Sequence, residues 1–285
     1  MSVPLTPRRA AVALAAVPLV LWLAVCVGMA LMQERLLFPG AYLHRGSHDA
    51  AYLAELAADV HATPITLRTS DGLALAAWHY AEPRHDRLVL FVHGNAADVS
   101  SSLHRAAALD RLGWNTLAFS LRGFRGSEGE PTEQGLALDL RAAWELATGP
   151  LGYAPDRVVL HGTSMGGGVL GLLLPELPAA CAVMESTYAS VRALAQEQYP
   201  YLPVSLLLRH PMDTLSRAPQ VELPVLQVHS TADRTIPVHH ARALAAAWKR
   251  GTYLEVPNLD HNQSVLLATS EGQAAWARFL ESCAP

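Results

Sequence analysis

Residues 162–166, Gly162-Thr163-Ser164-Met165-Gly166, set a serine among small neighbours in a G-x-S-x-G pattern. Glycine and serine are common, so the pattern alone is weak, and its flanks give it weight. Arg157–Leu160 reads as a strand, and Gly167-Gly168-Val169-Leu170 opens a helix. A serine on so sharp a strand-to-helix turn has strained backbone, and small flanking residues avoid clashes. The turn presents Oγ above the sheet. It also points the Met165 N–H at the helix N-terminus, where unpaired donors and the dipole favour negative charge. A tetrahedral oxyanion needs such a place, so the expected chemistry is acyl transfer to a serine nucleophile.

A serine nucleophile needs a base, and thirteen histidines make any single one uninformative. With the chain order Ser…Asp…His the base lies late. His261 follows an apolar strand, Tyr253–Val256, through the loop Pro257-Asn258-Leu259-Asp260 and precedes a helix. Asp233 lies beyond the strand Val225–Val228, where a carboxylate can bond the histidine and fix its tautomer. The competing acids are Asp260, whose side chain should point away from its neighbour His261, and Glu185, just past the strand Ala179–Met184. His239 and His240 begin a helix and are expected in solvent, while His161 lies inside the strand that leads into the serine turn.

The second oxyanion donor should come from the loop after Leu88–Val92, which runs into His93-Gly94-Asn95-Ala96. Asn95 N–H is the expected donor, with Ala96 next, and His93 is expected to pack the loop. His261 would take the Ser164 proton, protonate the leaving group and then activate water. That chemistry requires neither metal nor organic cofactor, and no histidine pairs with acids or cysteines at ligand spacing along the chain.

The elements around these residues are short strands alternating with helical stretches. The strands are short apolar runs: Leu88–Val92, Thr116–Phe119, Arg157–Leu160, Ala179–Met184, Val225–Val228 and Tyr253–Val256, with Arg157, Gln227 and Glu255 among the polar exceptions. Helical periodicity covers Ala97–Arg111, Glu133–Leu146, Ser164–Leu174, Val238–Trp248 and Gln263–Leu280. Such a pattern implies an α/β fold, a mostly parallel doubly wound sheet covered on both faces. Ahead of it, Ser70-Asp71-Gly72 between Pro64–Arg68 and Leu73–Tyr80 signals an antiparallel hairpin. A helix is expected at Asp49–Val60.

Hydrophobic residues make up 51% of the 285-residue chain, and an N-terminal segment explains part of that excess. Ala10–Met32 is an uncharged run of 23 residues, enough to cross the hydrocarbon core as a helix. Arg8 and Arg9 before it favour a cytoplasmic N-terminus and an extracytoplasmic catalytic domain. The organisation expected is a cytoplasmic segment 1–9, a signal anchor 10–32, a juxtamembrane segment 33–62 and a catalytic domain 63–285. A signal peptide cleaved after Gly28-x-Ala30 and lipid attachment at Cys26 are the alternatives. The net charge of −4, with arginines scattered along the chain, does not recommend nucleic acid as a partner. Cys26, Cys181 and Cys283 have no metal-ligand spacing; buried thiols are the expectation, with a Cys181–Cys283 bridge as the other possibility.

Several segments together resemble the α/β-hydrolase superfamily, and within it the membrane-anchored abhydrolase-domain serine hydrolases that include depalmitoylases and lysophospholipid lipases. They are Leu36-Leu37-Phe38-Pro39, Thr69-Ser70-Asp71-Gly72, His93-Gly94-Asn95-Ala96, Arg122-Gly123-Phe124 with Gly126-Ser127-Glu128-Gly129, Gly162–Gly167, and Asp233 through Pro237. The resemblance implies hydrolysis of an ester, thioester or amide of an acyl substrate, lipid-derived ones included. An acyltransferase with the same triad and a non-catalytic binding protein are the alternatives. The span from Glu185 to Val225, where such enzymes carry a lid, is short. Its apolar run Tyr199–Leu208 is either a small acyl-binding cover or a packed connection.

Overall fold

Five strands rich in Val, Leu, Ala and Phe have no face to give to water, and all of their residues but Thr163 lie buried. A computed structural model describes residues 7–43, 50–59 and 61–283. The strands are β1 (Thr63–Arg68), β2 (Ala74–Tyr80), β3 (Leu88–Val92), β4 (Asn115–Phe119), β5 (Val158–Thr163), β6 (Cys181–Glu185), β7 (Val225–Ser230) and β8 (Gly251–Val256). They form one sheet in the order β1-β2-β4-β3-β5-β6-β7-β8. The β1–β2 and β2–β4 pairs are antiparallel and the others parallel. β3 to β7 are the buried strands, while edge strands β1 and β8 are largely open to solvent, with Leu67 and Val256 their buried residues.

The helices are α1 (Pro7–Leu37), α2 (Pro39–Leu43), α3 (Ala50–Asp59), α4 (Leu103–Arg111), α5 (Glu133–Thr148), α6 (Met165–Leu173), α7 (Val191–Gln198), α8 (Val204–Leu207), α9 (Thr214–Arg217), α10 (His239–Ala247), α11 (Val265–Ala268) and α12 (Ser270–Cys283). Alternation along the strands divides them between two layers. Leu88, Leu90 and Val92 pack with α5, α6 and α10, whereas Val89, Val159 and Val183 pack with α4, α11 and α12. The chain therefore has the expected doubly wound α/β sheet with an N-terminal hairpin. Asp49 and Val60, the ends expected for the third helix, lie outside the described residues, as do residues 1–6 and Pro285.

Two local expectations change. The single helix expected over Gln263–Leu280 is broken, because Thr269 is extended and caps α12 by accepting the Gly272 N–H at 2.9 Å. A Cβ on Gly272 would stand 2.1 Å from Val265 O, so the two helices meet too closely to be one. Cys181 and Cys283 are joined in a disulfide rather than left as thiols, with Cα atoms 5.8 Å apart. The return of α12 across the buried end of β6 brings them together over a separation of 102 residues, the alternative that the sequence left open. The stretch after α1 packs inward, with Phe38 and Ala41 in the main core.

Arg122 explains one motif of the resemblance in structural terms. Its guanidinium binds Asp71 in the hairpin turn at 2.9 and 3.1 Å and Asp139 of α5 at 2.8 Å. Hydrogen bonds from Arg122 and Thr69 hold the Asp71 carboxyl down at about 2, whereas burial pushes Asp139 up to about 6. Ser127 continues the tie, accepting from Ala76 N and donating to Ser120 O.

Candidate active site

β5 ends under α6 in a turn that only small residues permit. A Cβ on Gly162 would fall 2.5 Å from Gly166 O, and one on Gly166 would fall 2.1 Å from Val92 O. Between them Ser164 adopts φ 54° and ψ −118°, a conformation that costs a non-glycine residue on the order of 1–3 kcal/mol. Its N–H donates to Glu185 O and its carbonyl accepts from Thr187 Oγ1, so β6 and the residues after it hold the strained turn in place.

Ser164 Oγ lies 2.9 Å from His261 Nε2, and His261 Nδ1 lies 2.7 Å from Asp233 Oδ2. With its Nδ1–H donated in a hydrogen bond to the carboxylate, the imidazole turns an Nε2 lone pair toward the hydroxyl. Asp233 is itself held from several sides. Its Oδ1 accepts the N–H groups of Thr235 and Ile236 at 2.9 and 2.8 Å, and His229 Nε2 approaches Oδ2 at 3.3 Å. Burial alone would raise the Asp233 carboxyl, but the bonds from His229, His261 and Ile236 hold it well below the usual carboxylate range. His229 Nε2 also faces Ile236 O at 2.8 Å, so that nitrogen carries the proton. Nothing in the sequence distinguished His229 from the other histidines.

The loop after β3 comes against the same hydroxyl. A Cβ on Gly94 would lie 3.4 Å from Ser164 Cβ, and Asn95 follows directly. Among the described residues no hydrogen bond takes up the N–H of Asn95 or of Met165, the first residue of α6. Asn95 Nδ2 donates to Leu37 O at 2.7 Å, and Gly40 packs so tightly that a Cβ there would stand 1.9 Å from Asn95 O. The end of α1 therefore clamps this loop. Ala96, the second candidate donor, is exposed beside it. His93 packs the loop: its Nδ1 faces Gly94 O and its Nε2 accepts Leu121 N–H, while burial lowers its pKa.

Glu185, the competing acid, is buried away from His261. It pairs with Arg105 at 2.8 Å, accepts from Ser264 Oγ at 2.6 Å and lies 3.3 Å from His161 Nε2. Burial would raise its carboxyl, yet Arg105 and the bonds from His161 and Ser264 hold it far below its ordinary value. Arg105 donates in turn to Ser264, three residues past His261, and to Thr163, next to Ser164. The cluster thus joins the serine turn to the histidine loop, and Arg105 gave no sequence signal because it is one arginine on an ordinary helix. Asp260 is exposed and its side chain takes no part in the Ser164–His261–Asp233 arrangement.

His239 and His240 do not both reach solvent. His240 is 1% exposed, burial lowers its pKa, and its Nδ1 accepts the Ala189 N–H. Its proton therefore sits on Nε2, facing Glu197 Oε2 at 3.4 Å, and His239 Nε2 lies 2.9 Å from the other oxygen. Sequence spacing concealed this meeting of two histidines with an acid. Because His240 offers a donor rather than a lone pair toward Glu197, the trio reads as a fastening between α7 and α10.

Above Ser164 opens a cavity of about 1030 Å³. Ser164, Met165 and His261 form its floor, and Leu194, Leu202 and Leu207 belong to its roof. α1 supplies a further wall with Met29, Ala30, Gln33 and Leu36. The run Tyr199–Leu208 is therefore a cover over the serine.

The serine aminopeptidase (S33) family matches residues 83–202, a stretch that holds Ser164 and ends before Asp233 and His261. An uncharacterized protein of Mycobacterium tuberculosis is 34% identical over 223 residues, spanning 77% of this chain and 79% of its own length. The α/β hydrolase domain-containing protein WAV2 of Arabidopsis thaliana is 28% identical over 247 residues, spanning 78% of this chain and 79% of its own. Among solved structures the esterase Pf2001 of Pyrococcus furiosus superposes with a TM-score of 0.66 at 20% identity, over 79% of this chain and 95% of that one.

Proposed function

Since the chain belongs to the α/β-hydrolase superfamily, we propose that Ser164, His261 and Asp233 form a catalytic triad that hydrolyses carboxylic esters or thioesters of acyl substrates. The observation that carries this reading is the unbroken relay of 2.9 and 2.7 Å from the strained serine through the histidine to a carboxylate held ionised. Ser164 Oγ attacks the carbonyl carbon as its proton passes to His261 Nε2. The N–H groups of Asn95 and Met165 stabilise the oxyanion. Collapse of the tetrahedral species expels the alcohol or thiol, which takes the proton from Nε2 and leaves an acyl-Ser164. Water, deprotonated by the same nitrogen, attacks that ester and releases the acid.

Acyl groups suit the cavity better than peptides do. An aminopeptidase needs a carboxylate to hold the substrate's α-ammonium. Glu185 is the single carboxylate among the described lining residues, and Arg105 already neutralises it. Leucine, methionine, phenylalanine and alanine are the commonest types along the remaining walls, beside uncharged polar residues such as Gln33, Gln198 and Asn262.

Residues 10–32 serve in this reading as an uncleaved single-pass anchor, followed by the juxtamembrane segment 33–62 and the catalytic domain 63–285. Arg8 and Arg9 keep the N-terminus cytoplasmic. The Cys181–Cys283 disulfide suits an oxidising compartment on the far side. A reporter fused after Pro285 is expected to be active outside the cytoplasm, and cytoplasmic activity would reverse the orientation.

The test of the chemistry is labelling by a fluorophosphonate, with turnover of p-nitrophenyl esters of graded chain length beside acyl thioesters. Both are expected in the native protein and neither in Ser164→Ala. Retained labelling of the alanine variant at this site would refute the triad.

A further inference from the structure

One face of α1 is covered by the catalytic domain, well inside the stretch assigned to the membrane. Trp22 Nε1 donates to Tyr201 O at 2.9 Å, and Cys26, 5% exposed, packs against Leu202 and Val204. One turn further on, Arg209 donates to Ala30 O. Gln33 then donates to Leu207 O and accepts Arg209 N–H. Residues 22, 26, 30 and 33 share one helical face, so residues 199–209 lie along α1 for three turns. The other faces of that stretch of α1 are exposed, with Leu21 at 61%, Val20 at 60% and Val27 at 57%.

Depth follows from helix geometry. About 20 residues span the ~30 Å hydrocarbon core. Counted from Ala10, the first residue after the paired arginines, the span ends near Met29. Trp22 then lies about 10 Å inside the outer boundary at 1.5 Å per residue. An apolar element resting on a membrane is buried by roughly 5–10 Å, so the cover reaches the depth of a monotopic segment. Its outward residues fit that medium: Leu206 is 84% exposed and Tyr201 63%. The same cover roofs the cavity above Ser164, whose wall includes Met29 and Ala30 from the helix at the boundary itself.

We propose that residues 199–208 are immersed in the outer leaflet beside α1, and that the cavity they roof draws its acyl chain directly from that leaflet. The substrate is then a membrane-resident long-chain ester or thioester that reaches Ser164 sideways, its scissile carbonyl near the headgroup level and its chain against Met29, Leu202 and Leu207. This rests on the acyl-hydrolase reading for its chemistry. The immersion rests on geometry alone.

The experiment uses the full chain in lipid vesicles, with two readouts. In the first, a spin label is placed on Leu206→Cys in a Cys26→Ala background. It is expected to relax with oxygen and to be shielded from a water-soluble nickel chelate. A label open to the chelate would overturn the immersion. In the second, Tyr201→Asp/Leu206→Asp, whose side chains line no part of the cavity, is compared with the native chain. Turnover of a long-chain ester embedded in the vesicles is expected to fall at least tenfold, with hydrolysis of soluble p-nitrophenyl acetate unchanged. Equal loss on both substrates, or on neither, would overturn sideways delivery. Failure of the native chain to turn over any ester would sink the hydrolase reading and delivery with it, while the label would still decide where the cover sits.

Discussion

At the scale of single residues, the site depends on how each charge is held. Asp233 receives His261 on one oxygen and two backbone N–H groups on the other. Replacing it by Asn keeps the shape and presents an amide that can favour the wrong imidazole tautomer. Asp233→Asn is expected to lower kcat by about 10⁴-fold with the fold intact, as for the same change in a serine protease triad. A loss under tenfold would remove Asp233 from its proposed role. Glu185 calls for a different prediction. Glu185→Gln leaves Arg105 buried without a counter-charge, which costs roughly 3–5 kcal/mol. The folded Glu185 carboxyl sits below its unfolded value of 4.5, so its contribution is complete above that pH and is lost as pH falls toward the folded value. Thermal melts should therefore show a wide gap between native and variant at pH 7 that narrows below pH 4.5. A gap independent of pH would contradict the account.

Elements act on the site through close backbone contact. The end of α1 and the start of α2 press on the loop after β3, with Gly40 against Asn95 O and Leu37 O holding the Asn95 amide. A methyl at position 40 must displace that loop. Gly40→Ala is expected to cut kcat by 10²–10³-fold, the effect of one lost oxyanion donor, while Ser164 stays near His261. Unchanged kcat would show that Asn95 N–H is not a donor. The C-terminal end of α1 is thus packed against the loop beside Ser164, and residues 37–40 belong to the site's support.

For the whole molecule, the disulfide ties a central strand to the last helix. A loop of about 100 residues closed in this way stabilises a chain by roughly 2–5 kcal/mol through the unfolded state. Reduction should lower the melting temperature and leave the activity of the folded protein unchanged at moderate temperature. An unshifted melt would mean that the bridge bears no part of the stability. Truncation to residues 34–285 has a different consequence. It uncovers Leu202 and Val204 and removes the Met29 and Ala30 wall. The shortened chain is expected to self-associate, as measured by light scattering, where the full chain in lipid stays dispersed.

Strand and helix identities were legible because a buried parallel strand and an amphipathic helix impose different periods on the same residue types. The positions of Ser164, Asp233 and His261 were legible too, since each follows a strand at an end where this fold directs side chains. The sequence by itself therefore determined the α/β layering, the hairpin and the apolar N-terminal run, all of which depend on neighbours along the chain. Tertiary structure alone decided which distant groups meet. It joined Cys181 to Cys283, set Arg105 on Glu185, placed His229 behind Asp233, and laid α1 against residues 199–209 to wall the cavity. Those pairings arise from the crossing of separate elements, and crossing leaves no periodicity in a linear chain.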